Sequence, residues 1–67
     1  MNINIRKSII DNFKNTSKED IVASINEAIN DKDEITLPGL GVFFEILWQN
    51  SSNDEKNNIT NIISNAL

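Results

Sequence analysis

Leu37-Pro38-Gly39-Leu40-Gly41-Val42-Phe43-Phe44-Glu45-Ile46-Leu47-Trp48-Gln49 is the stretch on which the fold turns. As a helix, it places Pro38 at the first helical position, where a missing N–H costs nothing. Leu40, Phe43, Phe44 and Leu47 then form one stripe, which Val42 and Trp48 widen. As a strand, Val42, Phe44, Ile46 and Trp48 alternate with Phe43, Glu45 and Leu47, and aromatic and β-branched residues suit a pleated surface. A glycine costs a helix roughly 1 kcal/mol relative to alanine, but Gly39 and Gly41 both fall near its start. A strand needs a partner, and only Glu34-Ile35-Thr36-Leu37 lies close by. A lone hairpin is marginal without something packed on it. The helix is therefore the preferred reading, and a hairpin over about residues 34–49 is its alternative.

The segments on either side carry helical spacing more plainly. From about Asn4 to Lys14, Ile5, Ile9, Ile10 and Phe13 recur at helical intervals. Ile3 and Ile5 alternate with asparagines, which leaves an extended lead-in open. Thr16 with Glu19, or Ser17 with Asp20, offers an N-terminal cap. Ile21, Val22, Ile25, Ala28 and Ile29 follow as an amphipathic stripe, and Asn30-Asp31-Lys32-Asp33 closes it in a polar turn. Beyond residue 49, Ser52-Asn53-Asp54-Glu55 reads as a capping box with acids suited to the helix dipole. Ile59, Ile62, Ile63, Ala66 and Leu67 supply its apolar face. The expected fold is all-α, a bundle of four short helices in one domain, residues 1–67. The alternative is α+β, with two N-terminal helices and the hairpin. In the bundle, Phe44 and Leu47 are expected to face the stripes Ile21–Ile25–Ile29 and Ile59–Ile62–Ile63.

Composition narrows the chemistry. The chain has 67 residues and neither cysteine nor histidine, which excludes disulfides, thiol nucleophiles, imidazole catalysis and cysteine/histidine zinc sites. Twelve residues are isoleucine and twelve asparagine, so there is matter for a core and a largely uncharged polar surface. Asp31, Asp33 and Glu34 lack the length, glycine and distal glutamate of a calcium loop and read as a solvated turn. Glu45, alone among apolar neighbours, has no second positioned group for acid–base work. It reads as outward-facing or paired with Arg6 or Lys7. Leu37-Pro38-Gly39-Leu40-Gly41 lacks the lysine and hydroxyl of a phosphate loop and reads as a structural launch for the third segment. No catalytic, cofactor or metal site is expected, and no small-molecule substrate. No apolar run approaches the roughly 18 residues needed to span a bilayer, and no signal peptide is visible. The expectation is a chain that stays in the compartment where it is made.

The net charge is −4, which disfavours phosphate-backbone binding. It is unevenly spread. Residues 1–18 hold Arg6, Lys7, Lys14 and Lys18 against Asp11 alone, while the remainder is strongly acidic. Those four cations are the candidate basic patch for a nucleic-acid-binding alternative. The third segment is apolar at 40, 42, 43, 44, 46, 47 and 48, wrapping beyond one helix face. Some of Val42, Ile46 and Trp48, the candidate interaction surface, are thus expected to stay exposed in a monomer, with a homodimer as the consequence and Trp48 at or near the interface.

The run LPGLGVFFEILWQ, the serine-containing cap after it and Asp54-Glu55-Lys56-Asn57 together resemble the small, acid-soluble spore protein I family. So do the start Ile3-Asn4-Ile5-Arg6, the acidic turn before Leu37 and the C-terminal amphipathic segment. The resemblance covers nearly the whole chain. It implies a minor small acid-soluble spore protein of endospore-forming bacteria, made in the forespore and held in the spore core, without catalytic residues. The major α/β-type spore proteins, which coat DNA, carry basic glycine-containing motifs that are not matched here. Their germination-protease site is not matched either: Ile21-Val22-Ala23-Ser24 comes nearest and is followed by Ile25 where that site has glutamate. A more limited similarity is to histone-like DNA-bending proteins, in which two helices precede a glycine-rich hairpin. The basic arms of that family are missing, and Glu45 would sit on the second strand.

Overall fold

The computed structural model describes residues 4–67, which form four α-helices and one short 3₁₀ turn. Helix α1 spans Ile5–Phe13, α2 Lys18–Asp31, α3 Leu37–Gln49 and α4 Asn53–Ala66, with the turn at Glu34–Thr36. No strand occurs among the described residues. Residues 34–49 therefore do not make the alternative hairpin. The extended lead-in at Ile3 lies outside the described residues, and Ile5 is already helical.

Local chemistry sets the helix ends. Asn4 caps α1 by accepting from the Lys7 N–H at 2.9 Å. Phe13 ends that helix, and Asn15 then takes a left-handed conformation at φ 63°, which asparagine tolerates better than most side chains. Of the two cap registers offered by the sequence, α2 uses the second: Ser17 accepts from the Asp20 N–H at 3.2 Å. Lys32 closes α2 in the left-handed region at φ 54°. The Asp33 carboxylate accepts from the Ile35 N–H at 3.1 Å, giving the acidic turn its structural role.

The passage from turn to α3 explains why the ambiguous stretch is a helix. The Thr36 hydroxyl lies within bonding distance of two carbonyls, Asp33 at 2.8 Å and Ala28 of α2 at 3.2 Å. This ties the turn to the preceding helix. The Leu37 N–H donates to the Glu34 carbonyl, so the 3₁₀ turn runs directly into α3. Leu37 opens the helix and Pro38 follows in its first turn, where the backbone N–H groups have no intrahelical partner. Neither glycine has a positive φ. Both are helical residues.

Helix α3 is the hub: α1 packs along it most extensively, while α2 and the 3₁₀ turn also rest against it. The contact with α1 runs over Gly39, Val42 and Phe43, which share one face of α3. A β-carbon placed on Gly39 would sit 3.8 Å from the Ile9 Cδ1, so this helix edge lies directly beneath α1. Phe13 meets Phe43 edge to face, with ring centroids 4.9 Å apart. Val42 is 6 % exposed and is the only buried residue among the described residues.

Phe44 and Leu47 share a hollow with Ile21 and Ile25, and Phe44 another with Ile63, as expected in part, but neither is buried there. Phe44 and Leu47 are 42 % and 48 % exposed, and Val42 is covered. The physical reason is where α1 docks. It seats on the face of α3 that carries residues 39, 42 and 43, where Phe13 meets Phe43 and Arg6 pairs with Glu45. The bulkier Leu40–Phe44–Leu47 edge is left only partly covered.

Val42→Ala removes two methyl groups from this contact and should cost about 1.6 kcal/mol, at roughly 0.8 kcal/mol per buried carbon. Phe44→Ala should cost about 2 kcal/mol, near half the value for a buried aromatic. Urea denaturation in dilute solution measures both. A Phe44→Ala loss more than twice that of Val42→Ala would restore the core centred on Phe44.

No atom lies within 4 Å of a β-carbon built on Gly41. Gly41→Ala should therefore stabilise α3 by roughly 0.5–1 kcal/mol through helix propensity alone. A lowered midpoint in the same denaturation series would contradict the open geometry at that position.

Helix α4 begins with a complete capping box: the Ser52 N–H donates to Glu55 Oε1 at 2.8 Å, and the Glu55 N–H donates to Ser52 Oγ at 3.1 Å. The Ser52 backbone N–H, and then its hydroxyl, hold the Glu55 carboxyl below its ordinary pKa. A lowered folded pKa stabilises above the unfolded value and is lost as pH falls through the folded one. The contribution is thus complete above the ordinary glutamate value of about 4.3 and disappears below it. Circular dichroism should show α4 losing helix content in that acid range. Glu55→Gln should keep the reciprocal bonds and flatten this part of the profile; an unchanged acid profile would contradict the assignment.

Candidate interaction surface

With α1 seated on one edge of α3, the other edge is left open. Ile10 and Phe13 of α1, Ile21 and Ile25 of α2, and Leu40, Phe44 and Leu47 of α3 line a groove of about 610 Å³. Each residue arrives there by helical spacing: 10 and 13, 21 and 25, 40, 44 and 47. Lys14 is the only charged side chain lining it. A second, smaller hollow of about 280 Å³ lies between α3 and α4, with Phe44, Trp48, Thr60 and Ile63 on its walls. Phe44 belongs to both. Its ring stacks on Trp48 at 5.8 Å with an interplanar angle of 27°, as their i, i+4 spacing allows. The Lys56 ammonium lies 5.5 Å from the Trp48 ring centroid, which places α4 beside the indole. Apart from such contacts, α4 packs lightly on the rest of the chain.

The three residues expected to form an exposed patch thus separate. Val42 faces α1 and is buried, Ile46 is exposed and lies at the groove, and Trp48 is half-buried between Phe44 and α4. The launch motif Leu37-Pro38-Gly39-Leu40-Gly41 divides likewise. Gly39 underlies α1 and Leu40 lines the groove, while Leu37 is exposed. The sequence singled out neither Ile10 and Phe13 nor Ile21 and Ile25 as a docking wall. Their signal was present only as core periodicity, because spacing shows which face is apolar and not whether a neighbour covers it.

The basic patch is largely paired within the chain. Arg6 Nε donates to both carboxylate oxygens of Glu45, at 2.6 and 2.8 Å, joining α1 to α3. This is one of the pairings expected for Glu45. Lys7 and Lys14 both reach Asp11, at 3.0 and 3.3 Å. Lys7, and after it Lys14, holds the Asp11 carboxyl below its ordinary pKa. Lys18 makes no ion pair among the described residues. The four cations do not form a free positive face. No group of metal-ligating side chains occurs among the described residues, and no helix there is long and apolar enough to cross a membrane.

Comparison with known proteins places this architecture. No solved structure matches the chain. Small, acid-soluble spore protein I of Halalkalibacterium halodurans is 37 % identical over 67 residues, covering 100 % of this chain and 98 % of the relative. The proteins of the same description from Bacillus subtilis and Geobacillus sp. are each 37 % identical, covering 100 % of this chain and 94 % of their own length. Residues 3–67 match the family described as small, acid-soluble spore protein I. The chain belongs to that family.

Proposed function

We propose that this spore protein is a non-enzymatic structural component of the spore core that works by associating with itself through the apolar surface its own fold leaves open. The observation that carries this reading is an excess of surface. The chain exposes 5788 Å², whereas a compact monomer of 7.6 kDa exposes about 4300 Å². The difference, about 1500 Å², exceeds the roughly 800 Å² that a standard interface takes from each partner. Large apolar side chains are among those exposed, including Phe44, Ile46, Leu47 and Ile62. Contiguous apolar surface on so small a protein is ordinarily covered by a partner. A second copy is always at hand, and a two-fold pair is the simplest closed arrangement.

Two further features support the reading. The ion pairs of Arg6, Lys7 and Lys14 set two carboxylates, Glu45 and Asp11, among the cations, and the chain as a whole carries −4, which weighs against the nucleic-acid alternative. Acid solubility also follows from composition. When the ten carboxylates are protonated, the six basic residues remain, and mutual repulsion keeps such a chain dispersed.

Sedimentation equilibrium at micromolar concentration and neutral pH tests the association. The expected result is a species of twice the chain mass. A monomer across the whole range to 100 µM would overturn it, and retention of duplex DNA at moderate salt by such a monomer would favour the basic-patch alternative.

A further inference from the structure

Helix α4 presents two different faces. Lys56, Thr60 and Ile63 fall at i, i+4 and i+7, on the side towards Trp48 of the same chain. Ile59, Ile62 and Ala66 fall on the neighbouring side. Ile62 there is 70 % exposed and Ala66 is exposed, while Ile59 is half-buried at the edge nearer the rest of the chain. The open groove between α1, α2 and α3 is the complementary feature. We propose that the Ile59–Ile62–Ala66 stripe of α4, with Ile62 at its centre, seats in that groove on a second copy, reciprocally, to make a two-fold dimer.

Charge selects this occupant among the apolar segments the chain offers. Lys14 is the only charged side chain lining the groove, and it already pairs with Asp11. A helix bringing charges of its own would have to desolvate them against otherwise apolar walls. After Lys56, α4 carries no charged side chain; its polar positions are Asn57, Asn58, Thr60, Asn61, Ser64 and Asn65. Such a helix can approach both walls without desolvating an unpaired charge. The surface to be covered is sufficient, since the excess area of each chain is about twice what a standard interface needs. Reciprocity follows from the parts: every chain has one groove and one free stripe, so a single two-fold axis satisfies both.

This inference rests on the self-association proposed above, and its test separates the two. The chain has no cysteine, so single thiols can be placed cleanly. Ile10→Cys marks the groove and Ile62→Cys marks α4. Asn26→Cys, at an exposed α2 position that does not line the groove, is the control. On mild oxidation, mixed Ile10→Cys and Ile62→Cys chains should form their heterodisulfide at least roughly tenfold faster than Asn26→Cys with Ile62→Cys, since docking raises the effective concentration towards millimolar. In parallel, Ile62→Asp should sediment as a monomer with the wild-type helix content. A dimeric wild type in which Ile62→Asp still dimerises, or whose heterodisulfide forms no faster than the control, would overturn α4 as the occupant and leave self-association standing. A monomeric wild type would overturn both.

Discussion

Helix α1 lies along α3 at Gly39, Val42 and Phe43, and the rest of the molecule is arranged by that contact. It holds the one buried residue among the described residues, Val42. The Phe13–Phe43 edge contact adds to it, and the Arg6–Glu45 pair spans the same two helices. That pair is solvent-exposed and fixes orientation more than it stabilises. Because α1 takes the glycine edge, the aromatic edge of α3 is left facing a groove that α2 only partly closes. The turn at Glu34–Thr36 sets this geometry from the other side. Thr36 anchors to the α2 carbonyl of Ala28, which fixes where α3 starts and how α2 departs from it.

A chain of this length buries only about 60 % of its unfolded surface even when compact. Here the exposed large apolar side chains occur on all four helices. Isoleucines 10, 46 and 62 and the Phe44 ring all remain substantially exposed. In the proposed pairing, the same residues that leave the monomer marginal are those the interface would cover. The abundance of asparagine has a physical use in this setting. Uncharged polar positions keep α4 hydrated without bringing a charge to an apolar surface.

The four helices were legible because their ends are written in local chemistry. Asn4, Ser17 and Ser52 cap through contacts three residues long, and the apolar stripes repeat at helical spacing. The ambiguity at residues 37–49 was real at the level of pattern, since one run satisfied both periods. It was settled by Thr36 and by the direct passage of the 3₁₀ turn into α3, features that depend on a carbonyl of another helix. The identity of the core was not legible. Val42 and Phe44 are both apolar and two residues apart, and which of them is buried depends on where α1 docks. The groove was unreadable for the same reason: Ile10, Phe13, Ile21 and Ile25 look like core residues in any single-chain pattern.

The central claim is that this fold is completed by a second copy. Thermal unfolding followed by circular dichroism over a hundredfold range of protein concentration tests it most directly, because association with the native state alone raises the apparent stability by mass action. The account predicts a midpoint that climbs steadily with concentration. A midpoint independent of concentration, with full cooperativity at the lowest, would show that one chain is sufficient for its own fold.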